Sequence, residues 1–200
     1  MIDILKYSKK SKLFDFFLKN LLRINVSQLS KPFYVYKNID LNFDKDFFYE
    51  YIKQNKITNW TGQSDNEHYQ SNHNLQKLRI IKKQVNLLEQ FLNKHIKRSI
   101  FTKSTIGKFK IKSLWFTIQK NNEGHSSHNH PKSTLSGVYY HQIDLEKGGE
   151  IEIDFYDKKI IHSPKKNDLI IFNSEIFHSV KPYLGENDRI AIAWDAIYTF

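Results

Sequence analysis

From residue 105 onward the sequence breaks into seven short runs rich in Val, Ile, Tyr, Phe and Trp, and this constrains the fold more than any other feature. The runs are Phe109–Ile118, Thr134–His141, Glu150–Tyr156, Lys158–His162, Asp168–Phe172, His178–Val180 and Ile190–Thr199. Asn121-Asn122, Gly148-Gly149, Pro164, Asn167 and Gly185 separate them, residues whose backbone preferences favour turns. Short β-prone segments at this spacing predict antiparallel sheets, arranged as a sandwich or a barrel, jelly rolls included.

The first half has a different texture. Residues 1–25 read as a basic amphipathic helix, with Leu5, Leu13, Phe16, Phe17 and Leu21 near helical spacing, packed on the main domain. Phe33–Tyr36 is a short strand, and Asn42 or Asp44 caps a helix running to about Gln54. Residues 55–72 form a polar loop around Trp60 and Gly62. Leu75, Leu78, Ile81, Val85, Leu88, Phe91, Leu92 and Ile96 then make a helical stripe, so one continuous helix is expected from about Asn74 to Arg98. The expected class is α+β, mainly β, with N-terminal helices packed on one sheet. Residues 1–200 form a single domain on this reading, with 1–105 a mainly helical support and 106–200 the β core.

Composition narrows the chemistry. A chain of 200 residues with 40% hydrophobic content buries a core without staples. With no cysteine, disulfide scaffolds, cysteine zinc sites, iron–sulfur clusters and thiol nucleophiles are all excluded. The apolar stretch Leu13–Leu22 is broken by Asp15 and Lys19, so no membrane span or secretory segment is expected, and the predicted location is the cytoplasm. The net charge is +10 but uneven: residues 1–113 carry 22 basic and 9 acidic side chains, residues 114–200 carry 9 and 12. The basic half could meet nucleic acid, anionic lipid or an acidic partner. No helix-turn-helix, zinc-finger or RNP-type pattern supports nucleic acid.

Four histidines in the β-rich half stand out: His125, His128, His130 and His178. In extended backbone, residues two apart point to one face, so the imidazoles of His128-Asn129-His130 converge. His178 follows the apolar run ending at Phe172 and arrives from a neighbouring strand. Three imidazoles leave open positions on a metal, as a catalytic site requires, and suit iron, zinc, copper or nickel. Eleven residues further on, Arg189 opens the strand Ile190-Ala191-Ile192-Ala193-Trp194. A guanidinium inside a barrel needs an anion, and its planar fork grips a carboxylate with two hydrogen bonds. The alternative is an edge-strand arginine paired with Asp188 or Glu186.

These residues resemble the 2-oxoglutarate/Fe(II)-dependent oxygenase superfamily, especially its bacterial and phage branch, with similarity to prolyl-hydroxylase-like members. The resemblance is carried by His128–Tyr140 (HNHPKSTLSGVYY), Gly148–Phe155 (GGEIEIDF), Ile171–Tyr183 (IFNSEIFHSVKPY) and Asn187–Trp194 (NDRIAIAW). It implies a double-stranded β-helix, a jelly-roll barrel with iron at its mouth. It also implies His128, His130 and His178 as metal ligands, Arg189 as the clamp on the far carboxylate of 2-oxoglutarate, and Tyr140 as a further cosubstrate contact. With Fe(II), 2-oxoglutarate and dioxygen, such an enzyme hydroxylates a small molecule or side chain and releases succinate and carbon dioxide.

Two departures from the pattern stand out. His130 occupies the place where the superfamily usually has a carboxylate ligand, which removes one negative charge; Glu150, Glu152 and Asp154 are nearby carboxylates, more simply read as outer-face charges. Ala191 sits where many relatives place a serine or threonine, so Tyr140 or Ser136 is expected to supply the missing hydroxyl. Two further readings compete: a cupin-like metal enzyme without 2-oxoglutarate, and a basic non-catalytic binding module. Thr134 and Leu135 stand where the cupin pattern usually has a glutamate.

Overall fold

The β-rich runs pair into two antiparallel sheets. The computed structural model describes residues 33–55, 69–96, 107–120 and 122–199; the expected helix over 1–25 and most of the loop at 55–72 lie outside them. Ten described strands follow in order: β1 (Phe33–Tyr36), β2 (Tyr69–Gln70), β3 (Lys108–Gln119), β4 (Glu123–His128), β5 (Leu135–Gln142), β6 (Ile151–Phe155), β7 (Lys158–His162), β8 (Leu169–Asn173), β9 (His178–Tyr183) and β10 (Arg189–Thr199). The larger sheet has the order β1-β8-β5-β10-β3-β2 and the smaller β4-β9-β6-β7.

The long strands read as unbroken apolar runs because the larger sheet is covered on both faces. On β10, Ile190, Ile192 and Trp194 join the core under the helices, while Ala191 joins the core between the sheets. That inner core takes Tyr140, Ile170 and Phe172 from the larger sheet and Ile151, Ile153 and Tyr183 from the smaller. The two sheets therefore pack face to face as a double-stranded β-helix. Each large apolar side chain so buried contributes about 1.5–3 kcal/mol, and these ladders hold the site residues in register.

Helix α1 (Lys45–Asn55) begins where Asp44 Oδ1 accepts the Asp46 backbone N–H at 3.0 Å, the expected cap. Its Phe48 is fully buried, with ring centroids 5.1 Å from those of both Phe116 and His141. The second helical stretch is not continuous. Two 3-10 turns, Leu75–Lys77 and Arg79–Ile81, flank an extended Leu78 (ψ 131°), and α2 (Lys82–Phe91) passes into a π turn at Leu92–Ile96. The sheet edge causes the break: Gln76 donates to the Lys112 carbonyl and accepts from the Leu114 N–H, and Asn74 bridges Leu114. Asn93 likewise donates to the Glu89 and Phe109 carbonyls and accepts the Phe109 N–H, tying the π turn to β3. Hydrogen bonds to a neighbouring strand override an uninterrupted helical stripe.

Candidate active site

β4 and β9 pair so that His128 stands opposite His178. β4 has a polar sequence, EGHSSH, yet pairs with β9 across register shifts and turns His125 and His128 toward the pocket. His130 lies beyond its end, where its backbone N–H donates to the Ser174 carbonyl at 2.7 Å. The three rings meet: centroids are 4.3 Å apart for His128 and His178, 5.0 Å for His128 and His130, and 5.3 Å for His130 and His178. One ring nitrogen from each lies within 4.8 Å of the other two.

Every one of these rings has its Nδ1 beside an oxygen. His128 Nδ1 meets the Ser126 carbonyl at 2.9 Å, His178 Nδ1 the Ile176 carbonyl at 3.1 Å, and His130 Nδ1 lies 3.4 Å from Asp195 Oδ2. Such contacts favour the tautomer that presents Nε2, with its lone pair, to the shared space. Burial, reinforced by the neighbouring His128, pushes the His178 pKa down to about 3, and burial lowers His128 as well. Both are neutral near pH 7, as metal ligation requires.

The same pocket holds Arg189 and Tyr140 at its buried end. Arg189 is on a central strand, so the edge-strand alternative fails; Asp188 instead accepts the Tyr49 hydroxyl and pairs with Lys120. Arg189 Nη1 donates to Gln119 Oε1, and its guanidinium carbon sits 5.0 Å over the Tyr140 ring. Neither Arg189 Nε nor Tyr140 Oη has a hydrogen-bond partner among the described residues. Burial lowers the Arg189 pKa, opposed by Tyr140, and burial raises that of Tyr140, opposed by the Arg189 charge. A buried guanidinium Nε left without a partner at hydrogen-bond geometry is costly unless a ligand pairs with it, and the Tyr140 hydroxyl is close enough to interact with the same guanidinium. The donor set of three converging imidazoles beside a cationic, hydroxyl-bearing pocket end fits a divalent ion and a dicarboxylate.

Ser136 lines the pocket too, but its hydroxyl donates to Asp195 Oδ1 at 2.6 Å. Of the carboxylates named from sequence, Glu152 is engaged by Lys159, Lys181 and the Ser179 hydroxyl. Sequence reasoning missed Thr117, Gln119 and Asp195, and with them Trp115, on which His73 stacks at 4.3 Å. Strand parity was the available signal. Residues 115, 117 and 119 share a face of β3, as 189, 191, 193 and 195 do on β10, and a polar side chain at an inward position of an apolar strand marks a site.

A family model described as "Putative 2OG-Fe(II) oxygenase" matches residues 113–159, which include His128, His130, Ser136 and Tyr140. No curated protein matches the chain in sequence. Among solved structures it is similar to a Pseudomonas putida prolyl-4-hydroxylase (TM-score 0.62, 14% identity, 88% of this chain and 98% of that one). It is similar to a Trichoplax adhaerens prolyl hydroxylase solved with a hypoxia inducible factor peptide (0.60, 15%, 94% and 94%). A third similar structure is the collagen prolyl hydroxylase of Paramecium Bursaria Chlorella virus-1 in its 2OG complex (0.54, 17%, 84% and 97%).

Proposed function

We propose that this chain, which carries the fold of the 2OG-Fe(II) oxygenases and their family segment at residues 113–159, is a 2-oxoglutarate- and Fe(II)-dependent dioxygenase that hydroxylates a small molecule or a side chain. The observation that carries this reading is the pairing, in one pocket, of three converging imidazoles with a buried arginine whose Nε is unsatisfied. His128, His130 and His178 hold Fe(II). Arg189 grips the far carboxylate of 2-oxoglutarate, with Tyr140 Oη as a second donor, and Gln119 fixes the plane of the guanidinium. Ser136 serves Asp195, and Thr117, opposite Ala191 in the β3–β10 ladder, supplies the hydroxyl that position 191 lacks. Val138, Ile151, Phe172 and Trp194 line the pocket with apolar surface, which excludes water and strengthens each polar contact. Once bound there, iron with dioxygen and 2-oxoglutarate supplies the oxidising chemistry, one oxygen atom going to the substrate and the other to succinate as carbon dioxide leaves.

No described helix is long and apolar enough to cross a membrane. The test is succinate formation from 2-oxoglutarate by the full chain. It should require Fe(II), vanish in His178→Ala, and lose about 100-fold in kcat/KM for 2-oxoglutarate in Arg189→Ala, as expected for a buried charge-assisted pair. Turnover undiminished by Arg189→Ala overturns the cosubstrate assignment. Tight metal binding with no effect of 2-oxoglutarate would favour the cupin-like reading.

A further inference from the structure

We propose that Asp195 is the anionic member of the metal centre, a positioning residue that acts on the ion through His130 without touching it. This rests on the metal-centre reading above and adds a residue to it. Asp195 sits at the bulge where the β10–β3 register shifts, between Asp195 and Ala196. Its side chain is 10% exposed and faces His130, with Oδ2 3.4 Å from Nδ1. Ser136 Oγ donates to Oδ1 at 2.6 Å and Ser113 Oγ to Oδ2 at 3.1 Å. The hydroxyls hold the carboxylate in place while leaving it ionised.

Two observations assign it a charge role. Among the described residues no lysine or arginine pairs with Asp195, whereas Glu152 is engaged by Lys159 and Lys181. A buried carboxylate bound only by hydroxyls and an imidazole lacks a countercharge. The pocket has the opposite deficit. A divalent ion and the Arg189 guanidinium bring three positive charges, and a bound dicarboxylate returns two. Asp195 returns the third, so the loaded pocket is neutral only if this carboxylate is counted. The negative charge missing from position 130 is therefore kept, moved outward by one imidazole ring. It also fixes the His130 tautomer, Nδ1–H toward Asp195 and Nε2 toward the ion, and raises the basicity of the ring as a ligand.

The experiment is calorimetric titration of the metal-free full chain with Co(II). Asp195→Asn keeps the shape and one accepting oxygen for the Ser136 or Ser113 hydroxyl and removes the charge; it should bind Co(II) about 10–100-fold more weakly while the metal-free protein still unfolds in a single cooperative transition. Adding His130→Asp to Asp195→Asn returns the carboxylate as a direct ligand and should restore most of the loss. Asp195→Asn affinity within about twofold of wild type, well short of that expected loss, overturns the role of Asp195 alone. A wild-type chain that does not bind Co(II) overturns the metal-centre reading itself. The His130 ring gives a readout that needs no variant: nitrogen NMR of the Zn(II)-loaded wild-type chain should show Nδ1 protonated and Nε2 ligated, and ligation through Nδ1 overturns the proposal.

Discussion

Thr117 and Ala191 face each other across the β3–β10 ladder, both in the pocket wall, and a hydroxyl expected on one strand stands on the other. Thr117→Val keeps the shape of the side chain and removes the hydroxyl. It should raise the KM for 2-oxoglutarate about tenfold, the scale of one hydrogen bond to a charged group, and Thr117→Ser should restore it; steady-state succinate assays measure both. The His128-Asn129-His130 pair was legible from its period-2 spacing, and Arg189 because a guanidinium is rare at the head of an apolar strand; His178, 50 residues from His128, stood out only through the motif around it. Thr117, Gln119 and Asp195 were not legible, since their meaning depends on which strands become neighbours. Ser136 was legible as a pocket residue but not in its partner, because Asp195 lies 59 residues away along the chain.

At the scale of elements, β-prone runs bounded by turn residues gave nearly every strand of the β-rich half, and β7 appears with the expected ends, Lys158–His162. The strand they hid was β4, whose polar face serves the pocket. The helical stripe marked the buried face correctly, with Leu75, Ile81, Val85, Leu88, Leu92 and Ile96 all in the core, but it could not show that Gln76 and Asn93 bond to β3. Helix α1 is anchored by Phe48 alone among its fully buried side chains. Phe48→Ala should cost about 3–5 kcal/mol in denaturant unfolding while the metal-free protein keeps its Co(II) affinity, because no site residue comes from this helix. The turn before β6 acts more directly on the site. Gly149 has φ +74°, and an added Cβ would lie 3.1 Å from Arg189 Nε. Gly149→Ala should therefore strain the turn and push the guanidinium, weakening 2-oxoglutarate binding more than metal binding in parallel titrations.

For the molecule as a whole, burial of neutral imidazoles couples stability to acidity. His141, packed on Phe48, has its pKa lowered from 6.5 chiefly by burial, with Lys166 and Lys45 adding to the effect; His73, His128 and His178 are lowered for the same leading reason. The unfolded chain takes up these protons first, so stability is present above the ordinary histidine pKa and lost as pH falls through it. Melting temperatures of the metal-free protein should drop between about pH 7 and about pH 5, less steeply in His141→Gln.

The inner face of β10 runs Arg189, Ala191, Ala193, Asp195: a cation and an anion at the ends and two methyl groups between them. At about 3.3 Å per residue, one rigid ladder sets the separation of the two charges, and the alanines leave vacant the width that a larger side chain would fill. Ala191→Leu would occupy that gap, so it should exclude the dicarboxylate while the imidazoles still take up Co(II). A strand's own repeat thus fixes how far the cation at one end of this face stands from the anion at the other.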